Sequence, residues 1–306
     1  MKILEGASQI KEKLKNPVVT IGNFDGVHLG HQAIFRKVIE EAHAIGGVSV
    51  VYTFDPHPLK VLEPDRFFPL ITTREEKERV IEWVGIDVLI REKFTKDFAQ
   101  LSTDEFVRNV LCNRIRTKEI FIGPDYRFGR GRKGTTDLLK SLGEECGIKI
   151  GILKNVEVEG IEVRSTTIRD YILEGKVKEA AKFLGRAYTL RGKVVRGKAL
   201  LKEFGIPTAN LEPEKELYPQ SGIFVVKVLV NESYARGVMN IGTNPTFPGK
   251  GFSLEVHILD FDQDISGSEL ELIFVEKLRD EKKFETPELL IGQIKKDIVQ
   301  ARKILR

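Results

Sequence analysis

The spacing of apolar residues changes character near the middle of the chain. Up to about residue 152, short β-branched runs at 18–23, 48–54, 86–90, 119–123 and 148–153 alternate with stretches whose apolar residues recur every three or four positions. Ile34, Phe35, Val38, Ile39, Ala42 and Ile45 form one such face, Val80, Ile81 and Val84 a second, and Phe106, Val107, Val110 and Leu111 a third. Thr73 with Glu76 and Ser102 with Glu105 open the last two and predict capping boxes. This alternation predicts a parallel sheet covered by helices, with ligands gathering at the carboxyl ends of its strands.

A helical pattern from about 166 to 184 ends at Gly185, and short strands follow near 188–195, 223–230, 234–240, 252–259 and 269–278. This half reads as antiparallel β. Its last piece, Pro287 to Arg306, carries Leu289, Leu290, Ile294, Ile298, Ala301 and Ile304 on one helical face, predicted to cover an open edge or face of a barrel. Two domains are expected, 1–185 and 186–306, in keeping with about 150 residues per domain.

Composition narrows the class of function. The net charge of +4 is small and Lys and Arg are interspersed with Asp and Glu, so no basic stripe predicts nucleic-acid binding. No apolar run approaches the ~18 residues needed to span a bilayer, and Met1-Lys2-Ile3-Leu4-Glu5-Gly6 lacks a secretory pattern, so a cytoplasmic protein without a membrane partner is expected. Cys112 and Cys146 read as reduced thiols without a role.

The chemistry concentrates between the first strand and the first helix, in Gly22-Asn23-Phe24-Asp25-Gly26-Val27-His28-Leu29-Gly30-His31. Gly22, Gly26 and Gly30 let backbone approach a ligand or take positive φ, and the first helical turn offers free N–H groups with roughly half a positive charge. An anion fits there. His28 and His31 add directional donors able to follow charge onto the bridging and leaving oxygens of a breaking phosphoanhydride. Asp25 can orient a histidine or approach a metal. The competing reading is a pair of turn histidines or two zinc ligands. Zinc needs further ligands, and Cys112 and Cys146 lie far apart with no close Cys or His pair.

Three more loops carry reactive or aromatic residues. In Thr53-Phe54-Asp55-Pro56-His57-Pro58 the prolines fix the direction of His57; the loop is either a structural turn or a surface where Phe54 meets a planar ring. Gly123-Pro124-Asp125-Tyr126-Arg127-Phe128-Gly129 can bind a planar ring or pin itself to the core through Tyr126 and Phe128. Arg164-Ser165-Thr166-Thr167-Ile168-Arg169 puts hydroxyls at a helix start and Arg169 one turn later, a grouping that caps a helix or binds oxyanions.

Together with Gly205-Ile206-Pro207-Thr208-Ala209-Asn210, the run from Asn240 to Phe247 and the run from Glu255 to Gly267, these motifs make nearly the whole chain resemble the bifunctional prokaryotic riboflavin kinase/FAD synthetases. The resemblance implies an α/β Rossmann-like nucleotidyltransferase domain that adenylylates FMN, followed by an antiparallel β-barrel flavokinase domain with a C-terminal helix that makes FMN from riboflavin. Riboflavin, FMN, FAD and ATP are the implied partners, with ATP as co-substrate and Mg²⁺ in both steps. On the same ground His28, His31 and Arg169 are catalytic, Gly22, Phe24, Asp25 and Gly30 belong to the ATP site, and Ser165 and Thr166 hold the β and γ phosphates. Gly205, Thr208 and Asn210 match the kinase phosphate loop, with Thr208 and Asn210 as Mg²⁺ contacts, and Glu255 matches the base for the riboflavin hydroxyl. Phe54, His57, Asp125, Tyr126, Phe128, Arg279 and Phe284 are the implied flavin contacts.

Three departures from the family pattern stand out. Leu200-Leu201-Lys202 replaces a usual Arg-Gly-Arg-type stretch, Arg164 a frequent serine and Asn244 a frequent arginine. A Cβ in the first can restrict approach to phosphate, so a working kinase is expected whose rate this loop can lower. Rival readings are an adenylyltransferase for pantetheine phosphate or nicotinate mononucleotide, a class I aminoacyl-tRNA synthetase, and a flavin-sensing or RNA-binding protein without turnover. The Pro-Thr-Ala-Asn loop and the run from Glu255 to Phe261 oppose the first. The lack of a KMSKS-type loop opposes the second, and the intact His28, His31, Arg169, Thr208, Asn210 and Glu255 oppose the third.

Overall fold

A computed structural model describes residues 1–196, 201, 204–230, 232–242 and 253–306. They form two compact units, Met1–Phe68 with Thr72–Arg164, and Pro69–Ile71 with Ser165–Arg306.

The first unit is built on six parallel strands, β1 (Lys2–Leu4), β2 (Pro17–Ile21), β3 (Val48–Asp55), β4 (Val88–Lys93), β5 (Glu119–Ile122) and β6 (Lys149–Ile152), in the order β1-β4-β3-β2-β5-β6. Its helices are α1 (Leu29–Ala44), α2 (Pro58–Leu62), α3 (Arg74–Val84), α4 (Thr103–Glu105), which runs on as a π-helix over Phe106–Ile115, and α5 (Thr136–Glu145). Successive side chains of a strand point to opposite faces. Val18, Val51 and Leu89 therefore pack with Phe35, Val38 and Ile81 on one side, while Val19, Val50, Tyr52 and Ile90 pack with Leu111 and Leu139 on the other. Both predicted capping boxes form, at Thr73/Glu76 and Ser102/Glu105. A short antiparallel hairpin, β7 (Glu157–Val158) and β8 (Ile161–Glu162), follows.

Strand order reverses at β2, whose neighbours β3 and β5 are reached on opposite sides. The crevice at its carboxyl end is the topological switch point, where ligands of such sheets bind. The histidine turn, residues 22–31, starts there.

One strand expectation is corrected and one strand, β1, was not expected. The run expected at 86–90 forms at Val88–Lys93, because Gly85, at φ 102°, ends α3 and Asp87 is drawn into hydrogen bonds with Ser49. The edge strand β1 has too few residues to show a period. Cys112 and Cys146, far apart in the chain, also meet: α5 packs on the π-helix, and burial with a hydrogen bond from Cys112 pushes the Cys146 thiol up to about 11. Both are free thiols.

In the second unit, α6 (Ser165–Leu173) and α7 (Val177–Leu184) are separated by Gly175 at φ 77°. Six antiparallel strands follow, β9 (Thr189–Val195), β10 (Ala209–Pro213), β11 (Gly222–Val230), β12 (Ser233–Gly242), β13 (Ser253–Ile258) and β14 (Glu269–Arg279), closed in the order β10-β13-β12-β11-β14-β9. The last helix, α8 (Pro287–Ile304), packs on β12, with Ile298, Ala301 and Ile304 against Ile223, Val225 and Val238. Because β9 pairs with both β10 and β14, the barrel has no open edge. The helix covers a face instead, and Leu289 of its expected apolar stripe is exposed.

The compact units divide at Arg164/Ser165 rather than where the residue pattern changes at 185/186. The reason is packing. Lys178 of α7 pairs with Glu276 of β14 at 2.8 Å, and the Leu173 carbonyl accepts from the Gln220 N–H at 3.1 Å, so both helices group with the barrel. The strand expected near 252–259 is found at Ser253–Ile258. Leu200, Lys202 and Asn244 lie outside the described residues.

The Thr73 cap is a local test of this architecture. Thr73→Ala removes the side-chain bond to the Glu76 N–H and is expected to cost about 1 kcal/mol, read as a lower urea midpoint at unchanged slope.

Candidate active sites of the two units

The turn after β2 passes through the left-handed region at Phe24 (φ 50°), Gly26 (φ 83°) and Val27 (φ 40°). Non-glycine residues adopt that backbone at a cost. Phe24 and Val27 are held in it because both side chains are buried in the core, the Phe24 ring lying 4.9 Å from Phe35. Gly22 leaves the space that ring fills, since a Cβ there would stand 2.9 Å from it. The buried Asp25 carboxylate accepts from the Thr72 N–H at 3.3 Å, and the Gly26 N–H donates to Thr72 Oγ1 at 3.1 Å. Thr72, just before α3, thus staples the turn.

His28 is the N-cap of α1: its Nδ1 accepts from the His31 N–H at 3.3 Å. That bond places the proton of the neutral imidazole on Nε2. The two rings stack with centroids 3.5 Å apart and 18° from parallel, and Phe24 meets His31 edge-on at 5.2 Å. Gly30 permits the stack, because a Cβ there would press to 3.2 Å from the His28 ring. Nδ1 of His31 is buried without a hydrogen-bond partner among the described residues. Burial first, then the charges of His28 and Lys77, hold the His31 pKa well below 6.5. Its imidazole is therefore neutral near pH 7 and acts as an uncharged donor. Among the described residues no group of three or more His, Cys, Asp or Glu could hold a metal ion.

The expected ring-binding loops divide by role. Phe128 is buried, 6.0 Å from Phe106, and so pins its loop to the core. Tyr126 stacks on it at 5.7 Å, its phenol pKa raised by burial. Asp125 is exposed and pairs with Arg164 at 3.4 Å. Phe54, partly buried, lies among Tyr52, Phe94 and Phe98, with centroids 5.5 to 5.8 Å away. His57 caps α2 by accepting from the Leu59 N–H at 3.2 Å, its ring 4.9 Å from Phe68.

The second unit holds the other expected residues. Ser165 and Thr166 open α6, and Arg169 is buried one turn later. In the barrel, Glu255 of β13 lies directly opposite Asn210 of β10 and Asn240 of β12. Cross-strand partners share a face, so a carboxylate stands between two amides. Glu255 is buried, with Oε1 accepting from Ser253 Oγ at 3.2 Å and Thr208 Oγ1 3.5 Å from Oε2. Gly205, at φ 73°, makes the turn that leads to Thr208. Beside them opens a cavity of about 640 Å³ lined by Val194, Arg196, Thr208, Asn210, Val256 and Asp264, among others. Arg279 engages the buried Asp297 through Nε at 3.1 Å and Nη2 at 2.8 Å, tying β14 to α8, and Phe284 lies 5.9 Å from its guanidinium.

A family model described as FAD synthetase matches residues 10–167, and one described as riboflavin kinase matches residues 184–305. The bifunctional riboflavin kinase/FMN adenylyltransferase of Buchnera aphidicola subsp. Acyrthosiphon pisum (strain APS) is 36% identical over 306 residues, covering 99% of this chain and 98% of that protein. The chain belongs to the bifunctional riboflavin kinase/FMN adenylyltransferase family. The Escherichia coli K12 member is 34% identical over 304 residues, covering 99% of this chain and 97% of its own length. A solved Streptococcus pneumoniae structure described as a macrolide-efflux protein superposes with a TM-score of 0.88 at 34% identity, over 98% of each chain. Among the described residues no helix is long and apolar enough to cross a membrane.

Thr72, Ser253 and Asn240 neighbour the expected site residues, and Lys77 lies near His31, without having been singled out from the sequence. Thr72 and Ser253 carry no local signal, and Lys77 sits in a charged run that reads as solvated. Asn240 had one, as the first residue of the Asn240–Phe247 motif.

The depressed His31 pKa has a definite sign in stability. The unfolded chain, at 6.5, takes up the proton first as pH falls, so stability associated with neutral His31 is complete above 6.5 and is lost on descending through the folded pKa. An NMR titration is expected to put the His31 ring midpoint below 6.5, and His31→Gln to remove part of the loss of stability on acidification. A midpoint at or above 6.5 contradicts the burial argument.

Proposed function

We propose that this chain converts riboflavin to FAD in two ATP-dependent steps. In the first, a riboflavin hydroxyl attacks the γ-phosphorus of ATP and forms FMN. In the second, an FMN phosphate oxygen attacks the α-phosphorus of ATP, the bond to the bridging oxygen breaks, and pyrophosphate leaves. The functional division is read at 185/186, with 1–185 as transferase and 186–306 as kinase. The observation that carries this reading is the His28/His31 stack at the switch point of a parallel sheet.

For adenylyl transfer, the FMN phosphate is already ionised and needs no strong base, so the residues act by positioning and by stabilising charge. His28, with its proton on Nε2, and His31 donate to oxygens whose negative charge grows as pyrophosphate departs. Ser165, Thr166 and Arg169 are assigned to the β and γ phosphates, while Phe54, His57, Asp125, Tyr126 and Phe128 are assigned to the flavin.

For the kinase step, Glu255 accepts the hydroxyl proton, its carboxylate aimed by the Ser253 bond. The 640 Å³ cavity beside Thr208 and Asn210 falls in the usual range of small-ligand sites, roughly 300–1,000 Å³, and supports a place for ATP. Thr208, Asn210 and Glu255 present hard oxygen donors without thiolate or imidazole, a set that fits Mg²⁺ shared with nucleotide phosphates. Held by Thr208 and Asn210, that ion would neutralise charge on the phosphoryl oxygens. Arg279 and Phe284 are assigned to the flavin end of this site.

Purified protein incubated with riboflavin, ATP and Mg²⁺ is expected to yield FMN and then FAD on one chromatogram. His28→Ala and Arg169→Ala each lower FAD formation from FMN by ~10²–10³ and leave FMN formation from riboflavin unchanged, whereas Glu255→Gln does the reverse. Failure to form FAD from FMN and ATP, or full FAD formation by His28→Ala, refutes the transferase reading.

A further inference from the structure

The run Arg74-Glu75-Glu76-Lys77-Glu78-Arg79 has the composition of a solvated helix face, yet Lys77 turns toward the histidine turn. Its ammonium donates to the Asn23 carbonyl at 3.4 Å. That bond is long, and an ammonium carries three donors. Among the described residues Lys77 has no ion-pair partner and no second hydrogen bond.

The carboxylates around it are engaged elsewhere. Asp25 accepts from Thr72, Asp55 stands 3.9 Å from Arg74, and Glu78 pairs with Arg91 of β4. Arg91 adds positive charge nearby. A desolvated ammonium without a counter-charge is costly, and here desolvation lowers the Lys77 pKa despite the longer-range pull of Asp25, Asp55 and Glu78. The Lys77 ammonium thus has donors to spare, which the oxygens of an arriving anion can accept.

The stacked imidazoles themselves add little formal charge. The second of them is held neutral, so the stack offers direction more than positive charge. Lys77 stands on a helix whose first turn is bolted to the histidine turn through Thr72 and closed by the Thr73/Glu76 capping box, a rigid mount for a charged donor.

We propose that Lys77 is a further donor of the adenylyltransferase site, contacting a phosphate oxygen of its substrates directly and adding a cation beside the stacked imidazoles. The proposal rests on the reading of the first unit as an FMN adenylyltransferase. Its charge also helps keep His31 neutral, so one residue serves both the ligand and the protonation state of its neighbour.

The test uses the full-length chain with Lys77→Met and Lys77→Arg, assayed for FAD formation with ATP and FMN varied separately, and for FMN formation from riboflavin as the control for folding. Lys77→Met is expected to lower kcat/KM for adenylyl transfer by ~10², to leave the kinase step intact and to move the His31 NMR midpoint up toward 6.5. Lys77→Arg, which keeps the charge, recovers part of the loss. A raised KM for ATP or for FMN names the phosphate contacted, and a loss in kcat alone places the contact on the departing pyrophosphate. As a check independent of substitution, an unreactive ATP analogue together with FMN should shift the ¹⁵N resonance of the Lys77 ammonium in the unmodified protein. Unchanged adenylyl transfer in Lys77→Met, or an unmoved Lys77 resonance with both ligands present, overturns the proposal. An unmodified protein that makes FMN but no FAD overturns the transferase reading beneath it, a result distinct from either.

Discussion

A single nitrogen of His28 closes the amino end of α1 and orients the first unit's site. Helix starts leave amides without intrahelical partners, and short polar side chains ordinarily satisfy them. Here an imidazole does so, accepting the His31 N–H through Nδ1. The same bond fixes the ring, selects its tautomer and brings His31 into a stack at 3.5 Å. The rest of the turn makes that geometry affordable: Gly22 yields space to Phe24, Gly30 yields space to His28, and Thr72 holds the strained backbone from outside.

Charge follows from the same packing. Two imidazoles face to face cannot both carry a positive charge cheaply, and burial decides against the cation at His31. Neutral donors hydrogen-bond to a developing oxyanion without titrating across physiological pH. The barrel's constellation is made differently. Glu255, Asn210 and Asn240 are brought to one face by antiparallel register across three strands, and the carboxylate is steadied by Ser253 two residues before it. One site grows from a helix terminus and the other from cross-strand pairing, yet both place donors on regular elements rather than on long loops.

Much of this was legible locally. Alternating β-branched runs and amphipathic helices marked the parallel sheet, and the Thr73/Glu76 and Ser102/Glu105 spacings marked two helix starts to the residue. The His28/His31 turn and the Glu255 strand were visible as motifs whose partners lie a few residues away. Less legible were elements too short to show a period, such as β1. The helices α6 and α7 were also ambiguous, since their pattern marks them as helical without saying which core they join. Leu289 shows the same limit from the other side, fitting the apolar stripe of α8 while standing in solvent.

The sequence by itself determined the element types, their alternation, the two helix caps and the positions of the histidine and Pro-Thr-Ala-Asn motifs, because each depends on neighbours within about one helical turn or along one strand. Only the tertiary structure decided that the barrel closes, that α6 and α7 pack on it, that Arg279 pairs with Asp297, that Cys112 meets Cys146, and that Lys77 turns inward beside His31. Those outcomes join residues separated by 18 to dozens of positions. The energy that selects them is burial and partner choice among distant groups, which no local period records.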